Sequence, residues 1–384
     1  MKRRTSALAL AALTLILITG LAAAGSGAAN PRSFHHAYGP KAHKGSTPAA
    51  FFGIDPQDTL SNTDYAKMAS NGVRVLRTGL YWQRVQPTDG LSYDWSSFDP
   101  FVELSAEHGI TVLPYLYGTP SWVATGFDHE TCTTCSKYAP RSSAALSAWK
   151  TFATAAAQRY GPTGEFWSEH PDLPKKPIRD WQIWNEQNSK NFYLPKPSPK
   201  DYAKALSNAS QGLRSVDSKA EVILGGMFGL PGNGASKAIP ASHFVRDLLK
   251  VGGAKKRFDG VALHPYSKTM KSIEEQVTVM RKQLVNSHYS DAELWITETG
   301  AASGGPKSPL NLGSKKAQAK RVSDTYKLFE TNRKKWHVKL VAWFAWQDSH
   351  ASDSFCFFCA KSGLVTESGT AKPSLGAYKR VAKN

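Results

Sequence analysis

Two glutamates carry the chemistry this chain is best equipped for. Glu186 follows Asn185 in "WQIWNEQN", and Glu298 lies between Thr297 and Thr299 in "LWITETG", 112 residues further on. Two carboxyl groups that face each other can cleave an acetal. One holds a proton for the departing oxygen, and the other attacks or stabilises the oxocarbenium-like centre. Their separation sets the stereochemistry, about 5–5.5 Å for retention and about 6.5–9.5 Å for inversion. Residues so remote in sequence meet only if the fold brings them to one rim.

The elements around them supply such a fold. Short apolar, β-branched runs recur as candidate strands. They are "FFGID" from Phe51, "VRVLRTG" from Val73, "ITVLPYLYG" from Ile110 and "RDWQIWNE" from Arg179, then "EVILGGM" from Glu221, "FDGVALHPY" from Phe258, "LWITETG" from Leu294 and "VKLVAWFAW" from Val338. Between them lie helical spacings, as in Leu146, Trp149, Ala153 and Ala156, and in Tyr202, Leu206, Ala209 and Leu213. Ser198 followed by Pro199 predicts a helix start, because the hydroxyl caps a free N–H and proline fills a position that needs none. Alternating strands and helices imply a parallel sheet with crossover connections.

Eight such units predict a single (β/α)8 TIM barrel over residues 49–384. The alternative, a doubly wound open sheet, lacks support because "FFGIDPQD" has none of the glycines of a phosphate loop. A barrel builds its active site at the C-terminal ends of the strands. Glu186 and Glu298 end candidate strands, whereas Asp180, Asp259 and Glu293 fall at strand starts and read as structural.

These motifs together resemble clan A retaining glycoside hydrolases, most like family 39 or a family 39-like branch. The resemblance implies a retaining O-glycosidase with Glu186 as acid/base and Glu298 as nucleophile. It assigns Arg77 of "GVRVLRTGLYW" to steady the nucleophile, and Asn185 to donate to a sugar 2-hydroxyl. His264 and Tyr266 of "HPY" would border the nucleophile, and Trp346, closing "WFAW", would floor the sugar subsite. Trp122 in "YLYGTPSW" is similar to family 39 as well. Trp82 is a weaker candidate for a supporting contact, as are Trp184 and Trp343, since tryptophans in a barrel are at least as often packing. The resemblance requires no metal and no organic cofactor. No appended β-sandwich is evident after the eighth candidate strand, and a monomer is expected. A non-hydrolytic sugar-binding barrel, acting at a cell surface or in matrix assembly, is the alternative, though a pure binder has no need of a matched acid and nucleophile.

Composition bounds the rest. With 384 residues, 41% hydrophobic and 20% charged, the chain can bury a large core, which excludes a disordered tail, a disulfide miniprotein or a collagen-like fibre. Lys2, Arg3 and Arg4 precede an apolar stretch from Ala7 to Ile18 and small residues at Ala22 to Ala24. This predicts a secretory signal over residues 1–29, cleaved after Ala24 or Ala29, and hence a secreted or envelope-associated protein without stable membrane insertion. Residues 30–48 read as a polar linker, whose His35, His36 and His43 lack the ordered surroundings of a metal site.

Loss of the signal takes the formal charge from +18 to +15, which favours polyanionic partners. No nucleic-acid-binding signature accompanies it, so an acidic glycan, a phosphorylated wall polymer or an anionic envelope surface fits better. Lysines such as Lys255-Lys256 and Lys315-Lys316 lie in predicted helix or loop regions and read as a solvated face. The cysteines form two close pairs, Cys132/Cys135 and Cys356/Cys359, which export would oxidise to disulfides. Two local bridges, or two cross-links between distant loops, both satisfy the sequence.

Overall fold

The computed structural model describes residues 47–56, 60–90, 92–124, 132–229, 238–349, 356 and 358–383. The expected signal and residues 30–46 of the linker lie outside these. Among the described residues the strands are β1 (Phe52–Asp55), β2 (Val75–Tyr81), β3 (Thr111–Tyr117), β4 (Asp180–Asn185), β5 (Glu221–Phe228), β6 (Gly260–His264), β7 (Glu293–Thr299) and β8 (Val338–Phe344). They close into a barrel in sequence order, each parallel to the next, with β8 pairing back onto β1. All eight predicted strands are present.

The helices are α1 (Asn62–Ser70), α2 (Trp82–Val85), α3 (Asp99–Glu107), α4 (Ser143–Tyr160), α5 (Glu165–Glu169), α6 (Pro199–Val216), α7 (Ala241–Leu249), α8 (Met270–Asn286), α9 (Lys315–Trp336) and α10 (Pro373–Lys383). The predicted apolar spacings fall on the buried faces of α4 and α6. Ser198 caps α6 as expected, accepting from the Asp201 N–H at 3.2 Å. Ser61 and Asp64 cap α1 reciprocally, satisfying two backbone donors that the first turn leaves free. Among the described residues no helix is long and apolar enough to cross a membrane.

The large core lies between strands and helices, while a smaller one, Val75, Leu113, Ile223, Ala262, Trp295 and Leu340, draws one residue from each of six strands. Side chains alternate along a strand, so the residues two places on share the same face. Those are Arg77, Tyr115, His264 and Thr297 on β2, β3, β6 and β7. The apolar plug is thus topped by a polar layer, towards the C-terminal ends of the strands. Glu293 lies at the opposite end with Lys339, 3.0 Å away, and Asp259 pairs with Arg214.

Candidate active site

Arg77 is the hub of the polar layer. It is 1% exposed, so every N–H it carries needs a partner. Nε donates to Gln182 Oε1 at 2.7 Å, Nη2 to Asn185 Oδ1 at 2.6 Å, and Nη1 to both Glu298 Oε1, at 2.7 Å, and Asp55. Its guanidinium lies 4.3 Å over the Tyr115 ring. A planar fork with fixed donor directions can hold four side chains from three other strands, which a lysine could not.

Two local irregularities aim the carboxylates. Gln182 and Asn185 are three apart on β4 yet both face Arg77, which strict alternation forbids. The break is at Trp184, whose φ of 74° turns it outwards. There its indole donates to Phe192 O at 2.9 Å and packs on Tyr117. On β7 the consecutive Thr297 and Glu298 both face the interior, where the β7–β8 register shifts between Ile296 and Thr299. Such irregularities re-aim side chains at barrel rims.

Glu298 also accepts from the Tyr266 hydroxyl, at 3.0 Å on Oε2. Glu186 Oε1 lies 3.1 Å from Nδ1 of His264, a ring that is wholly buried. Nε2 of the same ring is 3.0 Å from Thr297 Oγ1, which in turn accepts from Gln182 Nε2 at 3.2 Å. Gly226 makes room for this imidazole, because a Cβ there would collide with the His264 ring. One donor atom from each of Glu186, His264 and Glu298 lies within 4.8 Å of the others. These are the atoms a cation would use. Both imidazole nitrogens are already engaged, however, and Arg77 already places a positive charge on Glu298.

The environment spreads the ionisations. Burial, reinforced by the Glu298 charge and opposed by Arg77, pushes Glu186 up to about 8. Burial also raises Asp55 to about 8, against the pull of Arg77 and with help from Glu298. Burial and then the Arg77 charge hold His264 well below the usual imidazole range, so it is neutral. Burial and the Glu298 charge keep the Tyr266 phenol protonated. The result is a protonated carboxyl at Glu186, a hydroxyl donor at Tyr266 and a cation at Arg77, all converging on Glu298.

Arg77, Asn185, Glu186, His264, Tyr266 and Glu298 therefore meet at one place. Two expected aromatic contacts do not. Trp346 is fully buried, because β8 ends at Phe344 and the chain turns away, leaving the indole bonded to Asp64 Oδ1 at 3.0 Å. The strand-eight aromatic beside the site is Phe344, part-exposed and edge-on to Tyr266 with ring centroids 6.4 Å apart. Trp82 is also fully buried, stacked on Phe152 and tilted against Trp149, so it packs α2 onto α4. Trp122 is half-buried on the β3 side, edge-on to Trp82 and bonded to Gln86 O at 3.2 Å.

Sequence reasoning missed Asp55, Gln182, Tyr115 and Phe344, and took Thr297 only as a neighbour of Glu298. Asp55 ends β1 and meets the same strand-end criterion as the two glutamates. Thr297 and Tyr115 follow from the two-residue period. The cysteines form the two local bridges, Cys132–Cys135 in the β3–α4 connection and Cys356–Cys359 between β8 and α10. Next to the second, Phe358 packs on Tyr266 at 5.1 Å between ring centroids.

Comparison with known proteins agrees with this architecture. Residues 226–378 match the family model described as Glycosyl hydrolase catalytic core, a span that holds His264, Tyr266 and Glu298. A family 39 glycoside hydrolase from the gut symbiont Bacteroides cellulosilyticus WH2 superposes with a TM-score of 0.64 at 20% identity, over 87% of this chain and 63% of its own. The fold is that of the family 39 glycoside hydrolases. The family 39 enzyme of Xanthomonas axonopodis pv. citri superposes with a TM-score of 0.63 at 17% identity, over 88% of this chain and 69% of its own. A monomeric β-xylosidase from Caulobacter crescentus CB15 gives 0.61 at 18% identity, over 86% and 67%. This family 39-like barrel thus spans less than two thirds of the length of the Bacteroides protein. No curated protein matches the chain.

Proposed function

We propose that the protein is an exported, retaining glycosidase that acts as a monomer on a polysaccharide or oligosaccharide. Glu186 gives its proton to the glycosidic oxygen as the bond to the anomeric carbon breaks, and Glu298 attacks that carbon to form an ester. Glu186, now a carboxylate, takes a proton from water, which attacks the same carbon and frees Glu298. Arg77 and Tyr266 hold Glu298 in line for attack, and Asn185, fixed by Arg77 at 2.6 Å, keeps its amide N–H₂ for the sugar 2-hydroxyl.

The observation that carries the retaining reading is the 4.8 Å limit on the separation of the Glu186 and Glu298 donor atoms. An inverting pair needs about 6.5–9.5 Å to admit a water between carboxyl and sugar. The basic start and apolar stretch of residues 1–29 support export.

The test is mechanism-based labelling. An activated fluorosugar should leave a covalent adduct on a peptide containing Glu298, and Glu298→Gln should lose both the adduct and turnover by about a thousandfold or more. Turnover in that variant close to the wild-type rate would refute the assignment.

A further inference from the structure

The charge of this protein is concentrated. Helix α9 carries eight Lys or Arg against Asp324 and Glu330, a net +6, and α10 adds Lys379, Arg380 and Lys383 with no acid, a net +3. Together these two helices hold +9 of the chain's +18. Helix α4 carries only Lys150 and Arg159, a net +2, and α6 and α8 mix their signs. In α8, for example, Lys271, Arg281 and Lys282 are set against Glu274 and Glu275.

The two helices are neighbours, joined by the Tyr326 and Tyr378 rings 5.2 Å apart. Within α9, Lys316, Lys320, Lys327 and Lys334 recur at intervals of four and seven and are all exposed. At about 100° per residue they fall within about 40° of one another and run for about 27 Å along one side of the helix. Arg321, by contrast, points inwards and donates to Ser267 O and Lys268 O. Of the stripe, Lys320 is matched by Asp324 at 2.7 Å. Lys316 and Lys320 stand at the i,i+4 spacing at which like charges destabilise a helix.

The stripe also leads somewhere. Helix α9 follows β7, so its first residues stand at the rim that carries Glu186 and Glu298. There a cavity of about 750 Å³ is lined by Ser303, Lys315, Lys361 and Thr366, with Asp348 and Glu367. Both carboxylates are matched, Asp348 by Lys372 at 2.9 Å and Glu367 by Lys361 at 3.9 Å. Lys315 brings a further positive charge with no carboxylate partner among the described residues.

We propose that the α9–α10 face docks an acidic polysaccharide, holding its carboxylates or sulfates along Lys316, Lys320, Lys327 and Lys334 and leading the chain to the rim. Delivery to the rim rests on the glycosidase reading; the docking does not. A linear polyanion is the complement of a line of ammonium groups, each of which acts as a point charge without demanding a fixed acceptor geometry.

The experiment compares three full-length proteins for retention on polygalacturonate, on dextran sulfate and on double-stranded DNA, and for turnover of a small neutral aryl glycoside. They are the wild type, a stripe variant with Lys316, Lys320, Lys327 and Lys334 changed to Gln, and a control with exposed Lys175, Lys200, Lys219 and Lys271 changed to Gln. The two substitution sets remove the same charge. The wild type should bind at about 50 mM salt and weaken steeply by about 200 mM. The stripe variant should bind at least about tenfold more weakly, the control should stay near the wild type, and aryl glycoside turnover should be unchanged in both. Polygalacturonate binding alone identifies a uronate polymer, and dextran sulfate binding alone a sulfated one. Equal losses in the two variants, or retention of double-stranded DNA but of neither polysaccharide, would overturn the proposal. Turnover absent from all three would count against the glycosidase reading and leave the docking result standing.

Discussion

One guanidinium nitrogen, Nη1 of Arg77, serves two carboxyl groups at once, Glu298 on β7 and Asp55 on β1. Asp55 neither reaches for a leaving group nor attacks. It anchors the same guanidinium nitrogen that holds the proposed nucleophile, and its own carboxyl is pushed to about 8 by burial, with Glu298 adding to the shift.

Asp55→Ala removes the carboxyl that accepts from Nη1 of Arg77. A hydrogen bond to a charged group is worth about 1.5–3 kcal/mol, so kcat/KM should fall by about 10- to 100-fold while the fold survives. Because the loss acts on the arginine that aims Glu298, the rate of fluorosugar labelling should drop in parallel. Kinetics within about twofold of the wild type would remove Asp55 from the site.

Glu186 sets the pH response. Its ordinary value of 4.5 is raised to about 8 by burial and then by the Glu298 charge, so kcat/KM should hold below neutrality and decline through about pH 8 as the acid loses its proton. Asp55 titrates in the same region, so the limb reports the coupled set. In Glu298→Gln the neighbouring negative charge is gone, and the Glu186 carboxyl, followed by NMR, should titrate lower. Stability follows with a definite sign. Between 4.5 and about 8 the native state holds this proton more tightly than the unfolded chain does, so stability falls as pH rises across that window. Glu186→Gln should therefore melt higher than the wild type at pH values above 8 and gain nothing at pH values below 4.5. A gain of equal size at both ends would show that the raised value is not the cause.

Phe344 and Trp346 should separate cleanly. Phe344→Ala removes an aromatic face beside Tyr266 and should raise KM for a neutral glycoside by about tenfold, with a small change in melting temperature. Trp346→Ala empties a fully buried site and should cost about 3–5 kcal/mol of stability, with KM unchanged in the folded fraction. The reverse pattern would restore Trp346 as the sugar platform.

Much of this was legible from the residues alone. Short apolar, β-branched runs located every strand, and position at strand ends picked out Glu186 and Glu298. The closure of the barrel followed from counting alternating units. What escaped depended on departures from those regularities. Gln182 shares Arg77 with Asn185 only because Trp184 takes a left-handed conformation that a tryptophan rarely adopts. Trp346 closes the apolar run that predicts β8, but the strand stops two residues earlier and its indole joins the packing above α1. Asp55 satisfied the strand-end criterion, yet its importance lies in a contact with Arg77 that no spacing along the chain encodes.

Gly226 has no functional group, but any side chain there would evict the imidazole that touches Glu186. In a saturation mutational scan this silent position should be as intolerant as the two glutamates themselves. A survey that ranks importance by reactive atoms would overlook it, because its contribution is empty space.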